Sequence, residues 1–117
     1  MNVQWVKCNT GTWCRFLDLD PKSVREEGIY IIWCENENIM RVVYVGQGNV
    51  AQRITEHRAN RDITQYATIG NLCITWAAVS SQHARDGIER YLAVTCNPLV
   101  GDKYPEVTPI EVNLPWN

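Results

Sequence analysis

The feature that most constrains this chain is a pair of apolar runs set back to back across a polar tip. Ile29–Cys34 follows Gly28, and Met40–Val45 leads into Gly46. Between the runs lies the polar tip Glu35-Asn36-Glu37-Asn38, followed by Ile39. β-Branched and aromatic residues on both sides of a turn-rich cluster predict a β-hairpin. Each strand carries a tyrosine near the open end, Tyr30 on the first and Tyr44 on the second. Side chains alternate between faces along a strand, so register decides whether the two tyrosines meet. A tip with an odd number of loop residues pairs Tyr30 with Tyr44. An even tip pairs Tyr30 with Val43 and sends the tyrosines to opposite faces. The sequence leaves both registers open, and a joint role for the tyrosines requires the first.

Upstream, Trp5-Val6, Trp13 and Phe16-Leu17 are scattered apolar anchors around a turn signal at Asn9-Thr10-Gly11. Asp20-Pro21 reads as an N-cap with proline at the first helical position. It predicts a short turn of helix to Glu27, closed by Gly28 as the C-terminal glycine. Downstream, Gly46-Gln47-Gly48 ends the hairpin, and Asn49 caps a helix over Val50–Asn60 with Val50 and Ile54 as its apolar stripe. Arg53 and His57, four apart, share a neighbouring face. Residues 61–71 read as a polar loop. Leu72–Val79 is a third strand with Leu72, Ile74 and Trp76 on one face. Ser80-Ser81 caps a second helix reaching Cys96, buried along Ala84, Ile88 and Leu92, with Glu89 beside that stripe. Asn97-Pro98 stops it. From residue 99 to 117, Ile110, Val112, Leu114 and Trp116 alternate with other residues, as in an extended strap packed along the body. The fold expected is α+β: a small three-stranded antiparallel sheet flanked by helices, in one domain over 1–117.

A length of 117 residues supports a core without covalent staples. The five cysteines, Cys8, Cys14, Cys34, Cys73 and Cys96, are odd in number and show no CxxC spacing. That argues against a disulfide framework and a zinc knuckle, and all five read as structural residues. No run approaches a membrane span. The first residues hold no basic stretch followed by an apolar core, so the cytoplasm is the expected compartment. A net charge of −2 gives no support to tight, non-specific nucleic-acid binding. The one basic stretch runs from Arg41 to Arg61, with four arginines against one glutamate.

Gly28-Ile29-Tyr30, Tyr44-Val45-Gly46, Arg53 on the next helix, Glu89 on a later helix and Asn97 after it, with His57 as well, together resemble the GIY-YIG nuclease domain. The match covers residues 28 to about 98. The triplets alone are weak signals; the ordered set is specific. The resemblance implies a three-stranded antiparallel sheet with helices and hydrolysis of phosphodiesters, chiefly in DNA, with one divalent cation, Mg2+ or Mn2+. It implies Glu89 as the metal ligand, Arg53 on the scissile phosphate, a hairpin tyrosine (Tyr30 or Tyr44) helping to generate the nucleophile, and His57 as a further catalytic candidate. Gly46, Gln47, Arg58, Arg61 and Asn97 are the substrate-binding candidates. Gln47 departs from the family, where lysine commonly follows the second triplet. The interval from Glu89 to Asn97 is also short. The chain has almost no room for a separate DNA-reading domain, which points to a larger complex, a homodimer, or recognition of nucleic-acid structure.

These residue types suit that chemistry. A guanidinium offers paired hydrogen bonds to phosphoryl oxygens. A hard cation held by one carboxylate and waters stabilises the same charge. A phenol with pKa about 10 is a poor base until a positive neighbour lowers it. Each residue also has an ordinary reading. The tyrosines make a cross-strand pair, Arg53 pairs with Glu56, Glu89 pairs with Arg85 at i−4, and Asn97 ends a helix. A non-catalytic nucleic-acid-binding or protein-interaction module on the same scaffold is the rival function.

Overall fold

A computed structural model describes residues 1–8, 11–101 and 103–116. Among the described residues four strands form one antiparallel sheet: β1 (Cys14–Arg15), β2 (Glu27–Glu35), β3 (Met40–Asn49) and β4 (Asn71–Ala78). Their spatial order is β1-β4-β2-β3. Three α-helices accompany them among the described residues: α1 (Val50–Arg58), α2 (Arg61–Thr64) and α3 (Gln82–Cys96). Short 3₁₀ turns cover Pro21–Ser23 and Gln65–Thr68.

β2 is a central strand, between β4 and β3, and both of its faces are covered by packed elements, so its sequence is apolar throughout rather than alternating. Tyr30, Ile32 and Cys34 face one way, packing with Leu72, Ile74 and Trp76 of β4, with Val50 and Ile54 of α1, and with Ile63 of α2. Ile29, Ile31 and Trp33 face the other way, against Ile88 and Leu92 of α3 and Val112 of the tail. Each such fully buried aliphatic side chain contributes about 1.5–3 kcal/mol through the water it sheds. Trp33 is fully buried, meets Trp13 and Trp116 edge-on at 5.6 and 5.3 Å between ring centroids, and donates its indole N–H to Glu35 at 2.7 Å.

The described part of the expected strap packs along the body, with Val112 buried and Ile110, Leu114 and Trp116 against the same core; residues 102 and 117 lie outside the described residues. Val3 and Asn113 bond to each other in both directions, at 2.7 and 3.0 Å. Ile110 N–H reaches the Gly87 carbonyl at 2.9 Å. A Cβ on Gly87 would overlap Ile110, so this glycine is what lets the tail lie against α3.

Several expectations are corrected. The sheet has four strands rather than three, because Cys14–Arg15 pairs with Ile74 and Cys73 on the far edge. Two residues are too few to show a strand period. Asp20 does cap a turn, accepting from Lys22 N–H, but it is a 3₁₀ turn ending at Ser23. Gly28 is therefore no helix terminator. It lies inside β2, where a Cβ would overlap the Ala77 carbonyl oxygen of β4. Gly46-Gln47-Gly48 continues β3 to Asn49 instead of ending it. Residues 61–71 hold α2 and a 3₁₀ turn, capped by Asn60, which accepts from Asp62 N–H. Cys8 and Cys14 form a disulfide, while Cys34, Cys73 and Cys96 are free. The chain reverses between those two cysteines: Cys8 N–H bonds Thr12 O at 2.8 Å and Gly11 N–H bonds Cys8 O at 2.9 Å. The Asn9-Thr10 part of the expected turn lies outside the described residues. No helix among the described residues is long and apolar enough to cross a membrane.

Candidate active site

Tyr30 does not sit opposite Tyr44. It pairs with Gly46, and Tyr44 pairs with Ile32. Near the tip the register is the other parity, with Trp33 opposite Val42 and Cys34 opposite Arg41. Continued unbroken, that register would put the two tyrosines on opposite faces. An irregularity between Ile32 and Trp33 leaves Val43 as an extra residue on β3 and switches the parity. A bulge of this kind re-aims every side chain beyond it. Tyr44 thereby shares a face with Tyr30 as its diagonal neighbour. Their rings stack at 6.1 Å with 16° between planes. Direct pairing, required by the sequence argument, is replaced by a bulge that reaches the same end.

α1 adds the third ring. Asn49 caps it, accepting from Gln52 N–H at 3.0 Å, and the last turn brings His57 under the tyrosines. His57 lies 4.3 Å from Tyr44 and 5.7 Å from Tyr30 between centroids. The Tyr30 hydroxyl and His57 Nε2 share a buried hydrogen bond of 2.6 Å. Burial, helped by the Arg53 guanidinium, pushes the His57 pKa down to about 4, so the ring is neutral at pH 7. Burial also raises the Tyr30 phenol, and neighbouring Tyr44 adds to this while Arg53 opposes it. Tyr44 is raised chiefly by burial too, with Arg53 opposing, but its side chain is only half-buried. Gly46 makes room for this cluster: a Cβ there would overlap the Tyr30 hydroxyl and lie 2.6 Å from Cζ.

The charged residues meet at the outer edge of the sheet, since β3 is an edge strand. Leu99 and Val100 N–H groups cover its first half by bonding Val42 and Val43 carbonyls. Farther along, Gln47 joins the two faces. Its main-chain carbonyl accepts from Arg53 Nε at 3.2 Å, on the α1 side. Its side-chain Nε2 donates to Glu89 at 2.8 Å and to Asp86 at 2.7 Å, on the α3 side. Arg53 also pairs with Glu56 at 3.2 Å, the ordinary partner expected of it. Both side chains are nearly half-exposed there, so solvent screens the pair, which is worth about 0–1 kcal/mol. Burial raises the Glu89 pKa, with the Gln47 hydrogen bond and Arg53 pulling the other way and Asp86 adding to the rise.

The other candidates are engaged elsewhere or stand apart. Arg58 turns inward, donating from Nε and Nη2 to the Phe16 carbonyl at 3.0 and 2.7 Å and from Nη2 to the Leu19 carbonyl, so it pins the N-terminal segment rather than facing a substrate. Asn97 is the left-handed C-cap of α3, at φ 48°, its N–H on the Ala93 carbonyl. Arg61 is exposed at the start of α2, and no bond among the described residues ties it to the cluster. The i−4 pair of Glu89 with Arg85 does not form. Asp86, Gln82 and Arg85 were not foreseen as site residues. Their signal was present: Gln82, Asp86 and Glu89 recur at helical spacing beside the Ile88–Leu92 stripe.

The donor set is compatible with Mg2+ or Mn2+. Such an ion needs only one or two carboxylates with waters and phosphate oxygens, and Glu89 presents a half-buried carboxylate with Asp86 alongside. Among the described residues no group of three or more His, Cys, Asp or Glu forms an all-protein cage. No family model, curated protein or solved structure matches the chain.

Proposed function

We propose that this protein is a metal-dependent nuclease of the GIY-YIG kind, hydrolysing phosphodiester bonds, most readily in DNA. One observation carries the reading: Gln47, on the edge strand, bonds Arg53 through its carbonyl and Glu89 through its side chain, beside the stacked Tyr30, Tyr44 and His57. A guanidinium of α1 and a carboxylate of α3 thus bond the same residue of β3, and the tyrosines lie on that sheet close by. Arg53 binds the phosphoryl oxygens and stabilises charge as it builds there. Glu89 would hold the divalent cation, which when bound supplies Lewis acidity at the same phosphate. Tyr44 faces the substrate and holds the attacking water at its Oη, since its hydroxyl makes no bond among the described residues. Tyr30, buried and bonded to His57, fixes the Tyr44 ring from behind. Burial raises both phenols, so neither ionises at neutral pH without the help of Arg53 and a cation.

A non-catalytic binding module is the second reading, favoured by the net charge of −2. The two separate in one assay. Purified protein with Mg2+ or Mn2+ is incubated with single-stranded, duplex and branched DNA and with RNA, beside Arg53→Ala and Glu89→Ala. Cleavage reduced by about 10²–10³-fold or more in each variant is expected from the loss of a charge-stabilising group. No cleavage of any substrate, or cleavage that both variants retain, would overturn the nuclease reading.

A further inference from the structure

A helix glutamate with an arginine four residues before it ordinarily forms an ion pair that holds its charge. Glu89 and Arg85 have that spacing and do not pair. Arg85 is buried, at 7% exposure, and its donors are spent elsewhere. Nη1 bonds the Val79 and Ser80 carbonyls at 2.9 and 3.0 Å. Nη2 bonds Gln82 Oε1 at 2.7 Å, Nε reaches Gln47 Oε1 at 3.3 Å, and Glu27 lies 3.8 Å away as its ion-pair partner.

The space between Arg85 and Glu89 is filled by the Gln47 amide, and the surroundings fix its orientation. A guanidinium can only donate, so the Gln47 atom facing Arg85 must be the oxygen. The carboxylates of Asp86 and Glu89 can accept both protons of the nitrogen, and their distances of 2.7 and 2.8 Å match that. Gln82 Nε2 completes the set, donating to Gln47 Oε1 at 2.9 Å and to Asp86 at 2.8 Å. All four hydrogen-bonding positions of the Gln47 amide are therefore taken within the protein.

We propose that Gln47 is a positioning residue: its amide replaces Arg85 as the partner of Glu89, aiming that carboxylate at the sheet edge while leaving its negative charge uncancelled. A neutral donor orients a carboxylate without neutralising it, which a salt bridge would do. Gln47 thus acts inside the protein rather than on substrate. The functional part of this inference rests on the nuclease reading, because that reading assigns Glu89 its work. The groups that bear on Glu89 are Asp86 from its own helix, Arg53 from α1, and Tyr30 and Tyr44 from the sheet.

The test is an NMR measurement of solvent exchange at the Gln47 side-chain N–H2 group in the full chain, without nucleic acid or metal. In wild type both protons exchange more slowly than those of the exposed Gln52, because each is bonded to a carboxylate, and Glu89→Ala speeds the exchange of one of them. The wild-type measurement depends on no variant's folding. Exchange as fast as that of Gln52, or exchange unchanged in Glu89→Ala, would overturn the proposal. Where wild type cleaves DNA, Gln47→Leu lowers kcat and leaves KM unchanged. Cleavage that Gln47→Leu retains in full removes the positioning role and keeps the nuclease. Slow exchange with no cleavage removes the nuclease and keeps Gln47 as the partner of Glu89.

Discussion

Gly46 and Gln47 are neighbours on β3, yet they serve clusters of opposite character. Gly46 opens onto Tyr30, Tyr44 and His57, a stack of neutral rings joined by a single hydrogen bond between Tyr30 and His57. Gln47 opens onto Gln82, Arg85, Asp86 and Glu89, where almost every polar atom has a partner. The first cluster is organised by shape and by the exclusion of water. The second is organised by the direction of its donors and acceptors. A strand sends successive side chains to opposite faces, so one step along β3 passes from one regime to the other. Volume changes should therefore injure the aromatic side, and charge changes the polar side.

Gly46→Val is the strongest challenge to that division. Its added carbons would occupy the space of the Tyr30 hydroxyl, and the ring could move only by breaking its bond to His57. Overpacking of this kind costs about 2–3 kcal/mol. Chemical denaturation measures it, and a double variant with Tyr30→Ala should be non-additive, because the second change removes the obstacle. Additive costs would show that shape is not what limits the cluster.

Tyr30→Phe has a smaller effect and sharpens the same point. It keeps the ring volume and removes the hydroxyl, leaving a buried His57 nitrogen without its partner. The expected loss is about 1–2 kcal/mol, with the Glu89 titration unchanged. A shift of the Glu89 midpoint in this variant would mean that the two clusters are one network.

The parts of this division differ in how plainly the sequence announced them. The unbroken apolar run Ile29–Cys34 predicted a strand, and its burial on both faces explains why no alternation appeared. Helix caps at Asn49 and Ser81 were legible because a side-chain oxygen before an apolar stripe has a local job. The bulge at Val43 was not legible. It depends on how the tip and the open end settle into different registers, and no residue type in that run requires it. The diversion of Arg85 away from Glu89 was hidden for a related reason. Spacing on one helix favours their pairing, and only tertiary contacts with Gln47, Val79 and Ser80 override it. The same tertiary demand turned Arg58 inward, although in sequence it belonged to the basic stretch.

Acid separates the two clusters by sign, with the smallest effect of the three. His57 has its pKa lowered from an ordinary 6.5 to about 4 in the folded protein. The unfolded chain therefore takes up a proton first, and the histidine's contribution falls as pH drops from 6.5 towards 4. Glu89 has its pKa raised above an ordinary 4.5. Its folded form binds the proton more readily, so its contribution is fully present below 4.5 and is lost as pH rises through the folded pKa. The two terms oppose each other from pH 4.5 up to the folded pKa of Glu89, and the wild-type stability curve is flatter there than His57 alone would make it. Glu89→Gln removes the compensating term and leaves that of His57, so stability should fall more steeply on acidification. The variant's loss between pH 6.5 and 4.5, followed by chemical denaturation, should exceed the wild-type loss. His57→Phe should reverse the balance and make stability rise on acidification through the Glu89 range. Parallel curves for wild type and Glu89→Gln would mean that Glu89 is no more protonated in the folded chain than in the unfolded one. The polar cluster would then leave its carboxylate as acidic as in the unfolded chain, and the contrast with the histidine side would rest on volume alone.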